Sequence, residues 1–431
     1  TMEKVWNKEK KKKILDAFAP SPAAHAEETY KLTESSLNRY ANTWVAMHTE
    51  ACEATQIRGE QSDALLDTRM ACLDRSFDRF SAMTALFSET ADAELLNSAV
   101  KLTASLGDLS ECADLETLAE RLPLPSNPET REAVLDKQRD LDKLRLQSEA
   151  GNPSRALEGL QPILPLIEGL AHPPLQADAL SLLGELQQER GDLKEAEETL
   201  RQAAEQAALA KDDRRAAKVW IDLVFLVGYE DSRALEGKTM ARVARAAVLR
   251  AGGSTKLLAK LEGALGAISA GEMDWPSAKI HFSAAKKHFA DVNDSSAQSR
   301  LDLAVSLLNL GTVLSSLGEF EKALSQMQEA TEIWREAFGE LHPKVASSHY
   351  NIGLLHFQQD EHEMALKELE TALSIRKQVY GERHLLVAET LRLMALIASA
   401  QENYEETREL LEQVLEVQRE TLRAEHPKIC L

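Results

Sequence analysis

Residues Leu307–Ala330 read LLNLGTVLSSLGEFEKALSQMQEA, and the order of small and large residues in this stretch decides the fold. Leu307, Leu310 and Leu314 fall three and four apart, the spacing of one apolar helix face. Gly311 leaves a gap in that face, Gly318 breaks the run, and a second stripe follows at Phe320, Ala323, Met327 and Ala330. Two helices with small residues at their contact can bring their backbones close while large residues fill the grooves on either side. One such pair cannot bury its apolar face alone. Stacked pairs can, so the pattern predicts a row of pairs.

The row is present. His349, Ile352, Gly353, His356, Asp360, His362, Ala365, Leu369 and Ala372 repeat the order, as do Leu391, Met394, Ala395, Ala398, Tyr404, Leu411 and Val414, with Thr407 in place of the small alanine. Upstream copies carry Leu180, Leu183, Gly184, Gly191, Ala196, Leu200 and Ala203, then Gly266, Ala278, Phe282 and Ala285. Two further copies are degenerate, around Gly151, Ala156, Leu160 and Ile163 and around Ile221, Val224, Phe225 and Ala244. Position by position this is similar to the tetratricopeptide repeat. The resemblance implies an all-α fold: an α-solenoid, a right-handed superhelix of about seven helix pairs over residues 127–431, with first helices lining a concave face.

His342-Pro343, His384-Leu385 and His426-Pro427 recur at 42-residue intervals, the first two preceded by Gly339-Glu340 and Gly381-Glu382. This longer period resembles the kinesin-light-chain type of repeat. Gly339 and Gly381 are expected as left-handed stops to the second helices, and Pro343 and Pro427 suit a first helical turn. The histidines read as packing groups between repeats.

Residues 1–126 do not follow the repeat and form a separate N-terminal helical domain of four expected helices: Glu3–Phe18, Ala26–Gln56, Ser62–Glu89 and Ala91–Leu106. Ser62, after the Gly59-Glu60-Gln61 turn, is the expected N-cap of the third. Trp6, Phe18, Leu37, Tyr40, Trp44, Cys52, Gly59 to Ser62, Arg69-Met70, Cys72-Leu73, and Leu109 through Cys112-Ala113-Asp114 resemble the segment that joins the catalytic domain of myxobacterial serine/threonine kinases to their C-terminal repeat arrays. That resemblance implies a kinase domain upstream, often beyond one membrane-spanning helix, with this region as its sensor or docking arm. Thr1 ahead of Met2, and a repeat start that breaks off over Glu425–Leu431, fit a piece of a longer protein.

Composition narrows the function. With 44% apolar residues, only 13 Pro and 19 Gly in 431, the chain is folded and helix-rich. A net charge of −20 argues against a sequence-independent grip on nucleic acid, which needs cations to neutralise phosphates. No 18-residue apolar run exists to insert in a membrane. A Gly-rich phosphate loop, a His-Arg-Asp loop and an Asp-Phe-Gly are all missing, so the chain is expected to be non-catalytic. Gly252-Gly253-Ser254-Thr255-Lys256 lacks the first glycine of a phosphate loop and reads as a turn between repeats. His349 with His356, and His281 with His288, lie seven apart, too far for one metal without a third ligand between; no metal or cofactor site is expected. Glu402, Glu405, Glu406, Glu409 and Glu412, interleaved with Arg408, read as an exposed face.

Cys52 and Cys72 sit ten residues either side of Ser62, so a hairpin turning there could bridge them; both could equally be small core residues of a reduced protein. Cys112 and Cys430 have no spacing partner. A bridge leans to the extracytoplasmic side of a membrane-anchored kinase, whereas the lysines at 8 and 10–13 would flank a membrane helix on the cytoplasmic side.

Binding remains, and the register says where. In kinesin-light-chain-like arrays an asparagine two residues before the small glycine points into the groove; Asn309 and Asn351 match it, while Leu393 departs. An amide can serve both the N–H and the C=O of an extended peptide. Tyr350, Phe357 and Arg392 are expected on the same strip. Bonding between neighbouring repeats is the competing role for the asparagines. Three readings follow: a protein- or peptide-binding region of a bacterial kinase, a free-standing repeat adaptor, and a small-molecule-sensing helical-repeat regulator.

Overall fold

The structure, a computed structural model, describes residues 2–19, 26–89, 92–114, 122–291 and 297–421. Among these residues every regular element is helical. The chain divides into two compact units, residues 1–20 with 30–299, and residues 21–29 with 300–431.

The first unit opens with α1 (Met2–Val5), α2 (Lys8–Phe18), α3 (Ala26–Gln56), α4 (Asp63–Leu86), α5 (Ala93–Ala104) and a 3-10 turn at Leu109–Cys112. The expected first helix is broken at Trp6 and Asn7. Asn7 leaves the helical conformation to cap α2, accepting from the Lys10 N–H, and the Trp6 indole donates to Asn38 Oδ1 at 2.9 Å. Part of the lysine run is also spent on packing, since Lys11 pairs with Glu34 and lies over the Trp6 ring. Ser62 caps α4 as expected, accepting from the Leu65 N–H. Phe18, Leu37, Leu73, Phe80, Met83 and Phe87 form the buried centre, each contributing roughly 1.5–3 kcal/mol through apolar burial.

The disulfide is not the expected one. Cys72 on α4 bonds Cys112 in the 3-10 turn, their Cα atoms 5.6 Å apart, and Cys52 is a free, half-buried thiol. The reason is the centre of the α3–α4 hairpin. Arg69 reaches Glu50 and the Trp44 indole donates to the Leu73 carbonyl, so heights match about residue 59, where Gly59 turns with φ +65°, and not about Ser62. Cys72 therefore faces the level of residue 46, six residues from Cys52, or about 9 Å along the axis at about 1.5 Å per residue. Cys430 and the His426-Pro427 motif lie outside the described residues.

Four helix pairs complete this unit. Repeat 1 is α6 (Pro128–Glu149) with α7 (Pro153–Leu160) and α8 (Leu164–Gly169); repeat 2 is α9 (Pro173–Arg190) with α10 (Leu193–Leu209). Repeat 3 is α11 (Asp213–Phe225), prolonged by a π turn at Leu226–Glu230, with α12 (Ala234–Arg250); repeat 4 is α13 (Thr255–Gly271) with α14 (Trp275–Ala290). The expected boundary at 126 falls inside the unit. Across it Arg75 of α4 reaches Asp142 of α6, only 5% exposed, and Asp178 of α9, while Arg215 of α11 also bonds Asp178. Gly252 and Gly253 form the turn between repeats that was expected in place of a phosphate loop.

The second unit holds repeat 5, α15 (Ala297–Ser316) with α16 (Phe320–Phe338); repeat 6, α17 (Pro343–Phe357) with α18 (His362–Tyr380); and repeat 7, α19 (Leu385–Ala400) with α20 (Tyr404–Thr421).

Two recurrences fix the register, the first in four of the pairs and the second in all seven. A Cβ on Gly184, Gly266, Gly311 or Gly353 would stand 2.7–2.9 Å from Leu200, Phe282, Met327 or Leu369, in each case the residue sixteen positions on. Every turn between the helices of a pair also carries one residue with positive φ: Gly151, Gly191, Ser232, Met273, Gly318, Asp360 and Glu402. In the degenerate copies the size order is inverted. Gly159 makes room for Leu144 in repeat 1, and in repeat 3 Phe225 takes the glycine position while Ala241 takes the large one.

Candidate peptide-binding face

The recurring histidines position the first helices of repeats 6 and 7. His342 stacks on Phe338 at 4.0 Å and its Nδ1 accepts from the Lys344 N–H; His384 stacks on Tyr380 at 4.3 Å and accepts from the Leu386 N–H. They are N-caps as well as packing groups. Gly339 and Gly381 precede them with φ +85° and +82° as expected, but ψ near 170° sends the chain out extended and not in the left-handed helical turn.

Asn309 of α15 and Asn351 of α17 are half-buried, and among the described residues neither side-chain amide forms a hydrogen bond. The competing role, a strut between repeats, finds no partner atom here. One turn before Asn309 stands Val305, 44% exposed; on α19 the exposed Arg392 is followed one turn later by Leu396, 49% exposed. Arg392 makes no ion pair among the described residues. The first helices of repeats 5–7 thus offer two amides, one cation and the exposed apolar side chains of Val305 and Leu396.

Tyr350 and Phe357 are less open than the strip requires. Both are half-buried and pack against the core of repeats 6 and 7. Tyr350 lies under the Arg376 guanidinium, 4.7 Å from the ring centre, and burial raises its hydroxyl pKa above the ordinary tyrosine value. Leu393, where the asparagine is missing, is buried in the core.

The residue that sequence reading missed is Arg376. It is 3% exposed and donates to the Leu386 carbonyl at 2.7 Å, to Thr390 Oγ1 at 2.8 Å and to Glu389 at 3.1 Å, tying α18 to α19 behind the face. Its signal was available, because 42 residues earlier the same register position holds the buried Trp334. The paired histidines bond carboxylates: His281 to Glu262 at 2.7 Å, His349 to Glu368 and His356 to Glu361, each at 2.6 Å. The His349 bond holds the Glu368 carboxyl below the usual range, so Glu368 is not an inert surface position. Among the described residues no three His, Cys, Asp or Glu side chains are grouped to hold a metal, and no helix is long and apolar enough to cross a membrane.

Comparison with known proteins agrees with this architecture. A tetratricopeptide-repeat family profile matches residues 302–378 and 345–420, and a second matches residues 177–202. No curated protein matches the sequence. Similar solved structures include BtubC (BKLC) from P. vanneervenii, 18% identical, covering 70% of this chain and 95% of that one, with a TM-score of 0.35. Another is a signal transduction ATPase with numerous domains carrying a tetratricopeptide repeat sensor, from Pyrococcus horikoshii, 13% identical over 69% of this chain and 47% of that one, TM-score 0.49. A Rap protein complexed with Competence and Sporulation Factor is 11% identical over 76% of this chain and 95% of that one, TM-score 0.47. The chain is all-α and carries tetratricopeptide repeats, in register with the glycine contacts described above.

Proposed function

We propose that this chain is a non-catalytic protein- or peptide-binding region that holds an extended peptide across the first helices of repeats 5–7, as the sensor or docking arm of a bacterial serine/threonine kinase. One observation carries the binding reading. Asn309 and Asn351 stand 42 residues apart on successive first helices, half-buried and bonded to nothing among the described residues. A withheld amide loses water contacts without gaining a partner, at roughly 1–3 kcal/mol for a fully buried group. A peptide backbone would supply both the missing acceptor and the missing donor. Arg392 and Leu396 would then meet its side chains.

The kinase link rests on the N-terminal resemblance, and the Cys72–Cys112 bond suits an oxidising compartment outside the cytoplasm. The genomic reading frame upstream of Met2 tests that link: a kinase domain supports it, and a start codon at Met2 favours a free-standing adaptor. For the face itself, Asn309→Ala with Asn351→Ala should reduce partner capture at least tenfold with helix content and melting temperature unchanged. Glu370→Ala, at an exposed α18 position, should change neither. Full-strength capture by the double variant would move binding off this face, and loss of its fold would make the asparagines struts.

A further inference from the structure

Charge is unevenly spread along the chain, and repeats 3 and 4 carry the exception. Between Ala234 and Ala290 nine lysines and arginines stand against four aspartates and glutamates, in a chain of net charge −20. The carboxylates of that segment are already taken. Glu236 bonds Arg233 at 2.8 Å, Glu272 bonds Lys238 at 2.5 Å, and Asp274 accepts from the Ser277 N–H at the start of α14. Glu262 of α13 is held twice, by Arg245 of α12 at 2.6 Å and by His281 of α14 at 2.7 Å. That shared carboxylate ties the two second helices, α12 and α14, to one point.

What these pairs leave over is cationic and apolar, and it points outward. On α12 Leu235, Arg242 and Leu249 recur every seven residues, two helical turns, so they lie close to one line about 21 Å long. Leu235 is 81% and Leu249 62% exposed; on α14 Ile280 is 68% exposed, and Lys287 follows it by the same two turns. Arg242 and Lys287 are exposed and make no ion pair among the described residues. A lone exposed leucine is ordinary. Three large aliphatic side chains set among unpaired cations on two tied helices mark an interaction surface.

The charge and the shape of this surface choose its occupant. Unpaired cations call for an anionic partner, and side chains standing this far out would each need a matching pocket in a rigid one. A bilayer needs no pockets. Its anionic headgroups neutralise the cations, and the boundary of its acyl chains takes up protruding aliphatic groups. We propose that the outer face of α12 and α14 docks this protein on an anionic lipid bilayer, with Arg242 and Lys287 at the headgroups and Leu235, Leu249 and Ile280 among the upper acyl chains. The surface belongs to the first unit and is independent of the asparagine face. Each cation brought against such a bilayer contributes about fivefold to partitioning, so reversing two of them costs about twentyfold or more.

Co-sedimentation of the full chain with vesicles tests this. Phosphatidylcholine vesicles with about one third phosphatidylglycerol should bind the protein about tenfold or more over phosphatidylcholine alone, and the excess should shrink as salt rises from roughly 0.05 M to roughly 0.5 M. Arg242→Glu with Lys287→Glu should lose about twentyfold of that binding, and Leu235→Ser with Leu249→Ser and Ile280→Ser should lose it comparably. All five side chains are exposed, so both variants should keep the parent melting temperature. Asn309→Ala with Asn351→Ala should bind vesicles as the parent does, which keeps failure of this proposal apart from failure of the peptide face. Equal binding to the two kinds of vesicle, or either surface variant binding as the parent does, overturns the proposal. So does binding of a synthetic acidic peptide, Tyr404–Thr421 of this chain, without binding of vesicles, which would make the face a protein-docking surface.

Discussion

Adding one methyl group at Gly311 tests the register on which the whole reading stands. An alanine Cβ there would sit 2.7 Å from Met327 Cγ and 3.2 Å from the Ala323 carbonyl oxygen, inside normal contact on two sides. The thioether can move. The carbonyl belongs to α16 and cannot move without shifting the helix. Overpacking of this kind costs about 1–3 kcal/mol, against about 1 kcal/mol gained from replacing glycine in a helix interior. Gly311→Ala should therefore be destabilising by about 0–2 kcal/mol, and Gly311→Leu by the full overpacking amount or more. Gly263→Ala supplies the contrast: also inside a helix, with nothing within 4 Å of the new Cβ, it should stabilise by about 0.5–1 kcal/mol. Urea midpoints followed by circular dichroism read all three. Truncating the opposing side chain should rescue, so Met327→Ala combined with Gly311→Ala should cost less than the sum of the two singles. If Gly311→Ala stabilises as much as Gly263→Ala does, the two helices do not touch at this position and the register is wrong.

Three more outcomes follow from the covalent and titratable groups, and from the asparagine face. Cys72→Ser, or a reductant acting on the parent protein, should destabilise by about 4 kcal/mol in the chain-entropy account of a 40-residue loop, whereas Cys52→Ser should be silent; indifference to reductant would remove the disulfide from the native state. Burial, then the nearby Arg376, holds the His384 pKa below its ordinary value, and only the neutral ring can accept from the Leu386 N–H. A depressed histidine pKa gives stability present above about 6.5 and lost as pH falls through the folded value. His384→Asn, which can cap without titrating, should therefore gain on the parent between about pH 7.5 and pH 5; parallel pH profiles would dismiss the cap. Asn309→Ala with Asn351→Ala should weaken partner capture at least tenfold at an unchanged melting temperature, and capture at parent strength would move binding off this face.

Much of the architecture was legible because the repeat is a contact rule written in residue sizes. Gly184, Gly266, Gly311 and Gly353 announce themselves, each meeting a large residue sixteen positions on. Repeats 1 and 3 obey the same volume rule with the partners exchanged, Leu144 against Gly159 and Phe225 opposite Ala241 in register, which a position-by-position reading records as degeneracy. The turns of repeats 3, 4, 6 and 7 are hidden for another reason: Ser232, Met273, Asp360 and Glu402 take positive φ without being glycine. The cysteine pairing failed because cap chemistry locates the start of a helix but not the centre of a hairpin, and Gly59, not Ser62, is that centre. Register alone singles out Asn309 and Asn351 as candidates. Arg376 could have been found the same way, since the buried Trp334 holds its register position 42 residues earlier, but an arginine in an apolar slot is normally read as an exposed residue that happens to fall there.

The corners between the last repeats have a mechanical meaning. At Phe338–His342 and Tyr380–His384 an extended glycine, a ring stacked on the residue four before it and a capped N–H leave the chain few torsions that can yield. Such a corner behaves as a stiff joint, not a hinge, and fixes the spacing of Asn309 and Asn351 before any ligand arrives. A peptide captured there would spend little of its binding energy on ordering the receptor. Loosening a joint, for instance by His342→Gly, should thus show up first in the rate at which captured peptide escapes, with the contacts themselves intact.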